Sequence, residues 1–123
     1  MNSFNNRFTI KSQEALQNAQ DLATAQSHGE FKALHLLSAL INDSSSLVSP
    51  MIKSAGVNIE TLDKDINNEL HKLPKVFSAN SIGQLYVSQE VMKVIDRAGK
   101  VANANRDEFI SCEHLFLSIL DVD

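Results

Sequence analysis

The side chains with chemistry to offer are few. Cys112 stands two positions before His114, three further histidines lie at His28, His35 and His71, and Asp107 and Glu113 are close by in sequence to the Cys–His pair. A thiol beside an imidazole is the start of a thiolate nucleophile, but that chemistry also needs an oxyanion donor and a third group to orient the ring, and the sequence indicates neither. As metal ligands the same pair supplies two donors, where zinc takes three or four, and the histidines form neither H-E-x-x-H nor a Cys/His finger spacing. No metal site is expected. The glycines at 29, 56, 83 and 99 are never part of G-x-x-x-x-G-K-[ST], so no P-loop cradles ATP here. No catalytic residue and no cofactor of this chain's own is expected. Cys112 is expected to be a buried, inert thiol, and His35 and His114 to cap or plug buried helices.

The elements that hold these groups are repeated. The run 31–41 (FKALHLLSALI) returns as 110–120 (ISCEHLFLSIL), which sets His35 on His114 and Leu36 on Leu115, 79 positions apart. The same offset, without a gap, sets Thr9 on Ser88, Ala15-Leu16 on Val94-Ile95, Ala19 on Ala98 and Ala23 on Ala102. Apolar positions meet apolar ones throughout, the mark of an internal duplication.

Helical spacing and capping chemistry place six helices. Thr9 caps the first, which has a stripe of small residues (Ala15, Ala19, Ala23) and ends at His28-Gly29, with Gly29 in the left-handed position. The second runs over 33–42 and is apolar on most sides, as a buried helix is. A third spans 47–55, its Pro50 tolerable in the first turn with Ser49 as cap, and Gly56 stops it. Asn58 caps the fourth (Ile59, Leu62, Ile66, Leu70, Leu73), and Pro74 closes it. Ser88 caps the fifth and Ser111 the sixth, where Glu113 faces the positive end of the helix dipole. Residues 1–8 read as an arm with Phe4 and Phe8 free to tuck down. Nothing alternates with period two, so strands are not expected. The fold is all-α: an internally duplicated four-helix bundle with repeat one at 8–74, a linker at 75–86 and a partial repeat two at 87–123. Helices equivalent to the third and fourth should follow, so the chain is expected to be part of a longer protein.

Composition sets limits on function. The 123 residues carry a net charge of −4 with no Lys/Arg stripe, which disfavours a general grip on nucleic acid. The apolar runs are too short to span a bilayer, and no signal peptide is visible. A single cysteine agrees with a reducing cytoplasm.

The motifs 8–15 (FTIKSQEA), 34–40 (LHLLSAL), 48–56 (VSPMIKSAG), 65–76 (DINNELHKLPKV) and 109–117 (FISCEHLFL), together with the doubled frame, cover nearly the whole chain. As a set they resemble the Clp N-terminal repeat domain of the AAA+ unfoldases, above all that of the ClpB-type disaggregases. One departure is that many first repeats carry Thr-x-Glu-His before the second helix, where this chain has Lys32, Ala33, Leu34 and His35. The resemblance implies a non-catalytic chaperone module that engages unfolded or aggregated polypeptide in an apolar groove. It also implies a cytoplasmic parent of the stress response: a homohexameric ATPase using ATP and magnesium and working with a DnaK-type chaperone system. Carried over residue by residue, the substrate-linked positions are Thr9, Ile95, Asp107 and Glu113, with His114 on the second-repeat wall of the groove. Each has a structural reading beside the functional one: Thr9 as a cap, Ile95 as core, Glu113 as a dipole partner. Asp107, in a polar loop, has the weakest structural reason. The alternatives are an adaptor- or partner-docking domain of the ClpA, ClpC or secretion type, and a spacer that binds nothing.

Overall fold

In the computed structural model, which describes residues 7–43, 46–75 and 86–122, the chain runs through α1 (Ile10–Ala25), β1 (Glu30–Phe31), α2 (Ala33–Asn42), α3 (Val48–Ser54), α4 (Ile59–His71), β2 (Tyr86–Val87), α5 (Gln89–Ala104) and α6 (Cys112–Val122). Local chemistry starts most of these helices. The hydroxyls of Thr9 and Ser88 accept the N–H of Ser12 and Val91, three residues on in each copy, at 3.1 and 3.2 Å. Asn58 does the same for Thr61 at 3.0 Å, and Ser111 for His114 at 3.4 Å. Each such cap satisfies an amide that has no partner inside its helix.

The ends of α1 and α5 are copies of one another. His28 N–H donates to Ala23 O at 2.9 Å and Ser27 N–H to Thr24 O at 3.0 Å. Asp107 N–H donates to Ala102 O at 2.8 Å and Arg106 N–H to Asn103 O at 3.0 Å. This pair of bonds needs a left-handed residue. Here it is Ser27 (φ 61°) and Arg106 (φ 62°), not Gly29 as the sequence led us to expect. The helix runs out at Ala25, so the turn falls two residues before the glycine. The left-handed strain, of order 1–2 kcal/mol for a residue with a Cβ, is offset by the two backbone bonds it completes.

Two further caps differ from expectation. Ser49 does not start α3; its hydroxyl donates to Ile41 O at 2.8 Å, and Ser46 Oγ takes the Val48 N–H instead. Pro50 sits in the first turn, and Gly56 (φ 85°) closes α3 as anticipated. At α2, Lys32 has no acceptor to offer. Its place is taken from the other repeat: Glu90 Oε1, on α5, accepts the Ala33 N–H at 3.1 Å.

Helix α2 is the centre of the bundle, packed against α1, α3, α4, α5 and α6. Leu36 and Leu40 on it are fully buried, as are Leu70, Val91 and Leu115 from the elements around it. The alanines at 15, 19, 23, 98 and 102 are equally buried and let α1 and α5 lie close to their neighbours. Phe8 tucks into this core, while Phe4, Ser44-Ser45 and the body of the linker (76–85) lie outside the described residues.

Short extended segments, absent from our reading of the sequence, tie the copies together crosswise. β1 and β2 pair in parallel, with Tyr86 N–H on Gly29 O (3.1 Å) and Ser88 N–H on Phe31 O (3.0 Å). The mirror arrangement joins Phe8 to Ile110, with Thr9 N–H on Ile110 O (3.0 Å) and Ile110 N–H on Arg7 O (2.6 Å). Each repeat's leader therefore pairs with the segment that introduces the other repeat's second helix. Period-two alternation cannot reveal strands of two residues.

If the duplication is energetic as well as geometric, Leu36→Ala and its counterpart Leu115→Ala should destabilise alike. Each is expected to cost about 2–5 kcal/mol, read as a fall in the midpoint of chemical denaturation. A loss at one site only would show that the two copies do not share one core.

Candidate functional site

Helix α5 has an apolar inner stripe and a mixed outer flank. One, made of Val91, Val94, Ala98 and Ala102, faces the core. The other starts at Met92 and Ile95 and continues over Asp96, Gly99, Lys100 and Asn103, following helical spacing along the outer flank. Arg7 and Ile110 stand across from it, and together these residues enclose a groove of about 410 Å³. Its apolar surface comes from Met92, half exposed, from partly buried Ile95 and from Ile110.

The far wall is held in place by the crosswise pairing. Arg7 O accepts the Ile110 N–H, and the Arg7 guanidinium reaches back over α5 to donate from Nη2 to Asn103 Oδ1 at 3.0 Å. Gly99 lies beneath it: a Cβ there would meet Arg7 Nη1 at 3.5 Å and Ile110 Cδ1 at 3.8 Å, ordinary contact distances that would not displace either side chain. Lys100 and Asp96 form an exposed ion pair at 3.4 Å along the rim. An apolar strip with charged margins suits a polypeptide that brings apolar side chains and a solvated backbone.

The five residues singled out from the sequence divide. Ile95 lines the groove. Thr9 lies behind it: its N–H donates to Ile110 O, and its hydroxyl is occupied as the cap of α1. His114, Asp107 and Glu113 sit at the turn into α6 and are not among the residues that line the groove. His114 is buried, its Nδ1 accepting the Ser111 N–H at 2.9 Å. A backbone amide can only donate, so Nδ1 carries no proton; Nε2 carries it and donates to Asp107 Oδ2 at 2.9 Å. Asp107 thus has a structural partner that its loop position did not suggest, although its side chain remains 50% exposed. Glu113 is partly buried in the first turn of α6, where a carboxylate complements the helix dipole.

Arg7, Met92, Gly99 and Ile110 were missed as groove residues. Met92 carried a signal, three residues before Ile95 on the same helix face. Nothing local shows that Arg7 crosses to α5.

Cys112 is buried, and burial, with help from Glu113 and Asp43, pushes its thiol up to about 11. At neutral pH it is a thiol, not a nucleophile. Among the described residues no cluster of three His, Cys, Asp or Glu side chains could hold a metal ion, and no helix is long and apolar enough to cross a membrane.

Comparison with known proteins identifies the family and the fold. The family model of the Clp repeat (R) N-terminal domain matches residues 7–123. A chaperone protein ClpB from Rickettsia conorii is 34% identical over 110 residues, covering 89% of this chain and 13% of that protein. The chain thus spans a small part of such a relative's length. The Hsp104 N-terminal domain from Candida albicans has the same fold, with a TM-score of 0.82 at 23% identity over 93% of this chain and 73% of that one. A ClpV N-domain solved in complex with a VipB peptide gives 0.80 at 18% identity, over 97% of this chain and 71% of that one. The chain belongs to the Clp repeat N-terminal domain family and is an N-domain of the ClpB kind.

Proposed function

We propose that this chain is the substrate-engaging N-terminal domain of a ClpB-type ATP-dependent disaggregase, holding unfolded or aggregated polypeptide in the α5 groove without catalysis of its own. The observation that carries this reading is the groove along α5, where half-exposed Met92 and partly buried Ile95 lie beside the buried Ile110. Bare apolar surface bordered by charge is what a weak, unselective grip on extended chains requires. Membership of the Clp repeat family supports the same role. ATP and magnesium, a homohexameric ring and cooperation with a DnaK-type system belong, on this reading, to the rest of such a protein.

A second reading, a docking site for one defined partner, is favoured by one observation: a fold neighbour, the ClpV N-domain, has been solved with a VipB peptide. Affinity and breadth separate the two. A substrate groove of this size should bind many denatured proteins weakly, with dissociation constants on the order of 100 µM. A docking site should bind one partner far more tightly and ignore the rest.

Three substitutions test the placement, read by fluorescence anisotropy with a permanently unfolded, dye-labelled protein. Met92→Asp should weaken binding several-fold at unchanged melting temperature, because Met92 is half exposed. Glu113→Ala should weaken it less, with a fall in melting no larger than the loss of one helix-dipole partner, about 0.3–1 kcal/mol, if its carboxylate attracts basic flanking segments. Asp107→Ala should lower the melting temperature, since it strips His114 Nε2 of its acceptor. Unchanged binding in Met92→Asp would move the site elsewhere.

A further inference from the structure

His28 and Asp107 occupy equivalent positions, 79 residues apart, just past the left-handed residue that ends α1 and α5. Each presents an atom two bonds from its Cβ to the buried histidine of the following helix: His28 Nδ1 to His35 Nε2 at 2.8 Å, Asp107 Oδ2 to His114 Nε2 at 2.9 Å. The hydrogen-bond chain has one direction in both copies. His35 Nδ1 accepts the Lys32 N–H at 2.9 Å, so its proton is on Nε2 and is donated to His28 Nδ1, which must be bare. The two rings are tilted, with centroids 5.0 Å apart, and both are buried.

The two contacts respond differently to an added proton. In repeat one, a proton on His28 Nδ1 sets N–H against N–H across 2.8 Å, and a proton on His35 Nδ1 sets N–H against the Lys32 amide. The surroundings offer no anion to compensate: Lys75 and His71 face His28, Lys32 faces His35, and Glu30 is paired with Lys32 at 3.5 Å; the backbone at Leu70, which favours a charged His28, and that at Lys32, which favours a charged His35, are outweighed by burial and these neighbours. In repeat two the Ser111 amide faces His114 Nδ1 at 2.9 Å just as the Lys32 amide faces His35, so the two copies differ at the other contacts: His114 Nε2 lies on the Asp107 carboxylate, an anion, where His35 has the His28 ring, and Ser111 Oγ lies 3.1 Å from His114 Nδ1.

We propose that the His28–His35 contact is an acid-sensitive latch on the first of the two crosswise junctions, releasing β1, and with it the β2 leader of α5, while the Asp107–His114 junction stays closed. The latch spans β1 directly: His28 precedes it, His35 lies in the first turn after it, and Gly29 O and Phe31 O hold Tyr86 and Ser88. Burial, and then the His28 ring, holds His35 down to about 4; burial and Lys75 lower His28 as well. Both groups have folded-state values below the ordinary imidazole value of about 6.5. The latch's stability is therefore complete above about pH 6.5 and is lost as pH falls from there towards 4.

Amide hydrogen exchange by NMR on the whole chain tests this, with rates corrected for intrinsic pH dependence. Between pH 7 and pH 5 the protection of Tyr86 and Ser88 N–H should fall about tenfold or more, while that of Thr9 and Ile110 N–H changes by less than about threefold. Loss of protection at all four amides together would overturn the proposal, since it would report global unfolding. His28→Asp copies repeat two and should abolish the selective loss. His28→Asn keeps an acceptor at the Nδ1 position without a titrating ring and should do the same. Selective loss that persists in His28→Asn would also overturn it.

Discussion

The structure depends on a reciprocal exchange of backbone hydrogen bonds between its two halves. Thr9 N–H bonds to Ile110 O, and Ser88 N–H, its counterpart, bonds to Phe31 O, the counterpart of Ile110. Each leader must leave its own repeat to find these partners, so neither repeat can place its helices without the other. Glu90 reinforces the exchange by capping α2 from α5, which makes good the acceptor that Lys32 lacks. The cost of fixing these short segments is met by burying what they carry: Phe8, Phe31 and Ile110 are all nearly inaccessible.

Beneath each junction lies a histidine used as a cap in reverse. A side-chain acceptor usually sits before a helix and takes an amide from its first turn. Here the acceptor is in the first turn and takes the amide of the residue before the helix. That choice fixes the tautomer of each ring and forces the next contact to be with an acceptor. His28 and Asp107 both satisfy this requirement in the neutral state of the ring, which explains how a histidine and an aspartate can fill one structural position.

What could be read from the sequence was what local chemistry decides. Thr9, Asn58, Ser88 and Ser111 cap where their types and the following helical spacing place them, α2 has the expected limits, and Gly56 stops α3. The errors came where a distant partner decides. Ser27 takes a conformation that glycine would favour because the turn's backbone bonds fix the position. Ser49 is drawn away from capping by the Ile41 carbonyl. Of the residues that line the groove, Ile95 was singled out by the family resemblance alone, since its spacing reads equally as core. Arg7 was not, since its role exists only once the leader of repeat one lies across the first helix of repeat two.

The location of the groove follows from how the copies diverged. Shifting the groove residues of α5 back by 79 positions gives Gln13, Leu16, Gln17, Gln20, Asp21 and Thr24 in α1, a mostly polar flank. Gln13 replaces Met92 and is drawn down to the Phe8 carbonyl at 3.1 Å. Gln20 stands in the place of Gly99, over which Arg7 lies, and the counterpart of Arg7, Tyr86, points to solvent with 71% of its surface exposed. The duplication thus supplied two equivalent flanks on one rigid frame. Only the second carries Met92 beside its aliphatic residue and has a wall across from it, so the asymmetry that makes the groove lies in side chains that the shared fold does not need.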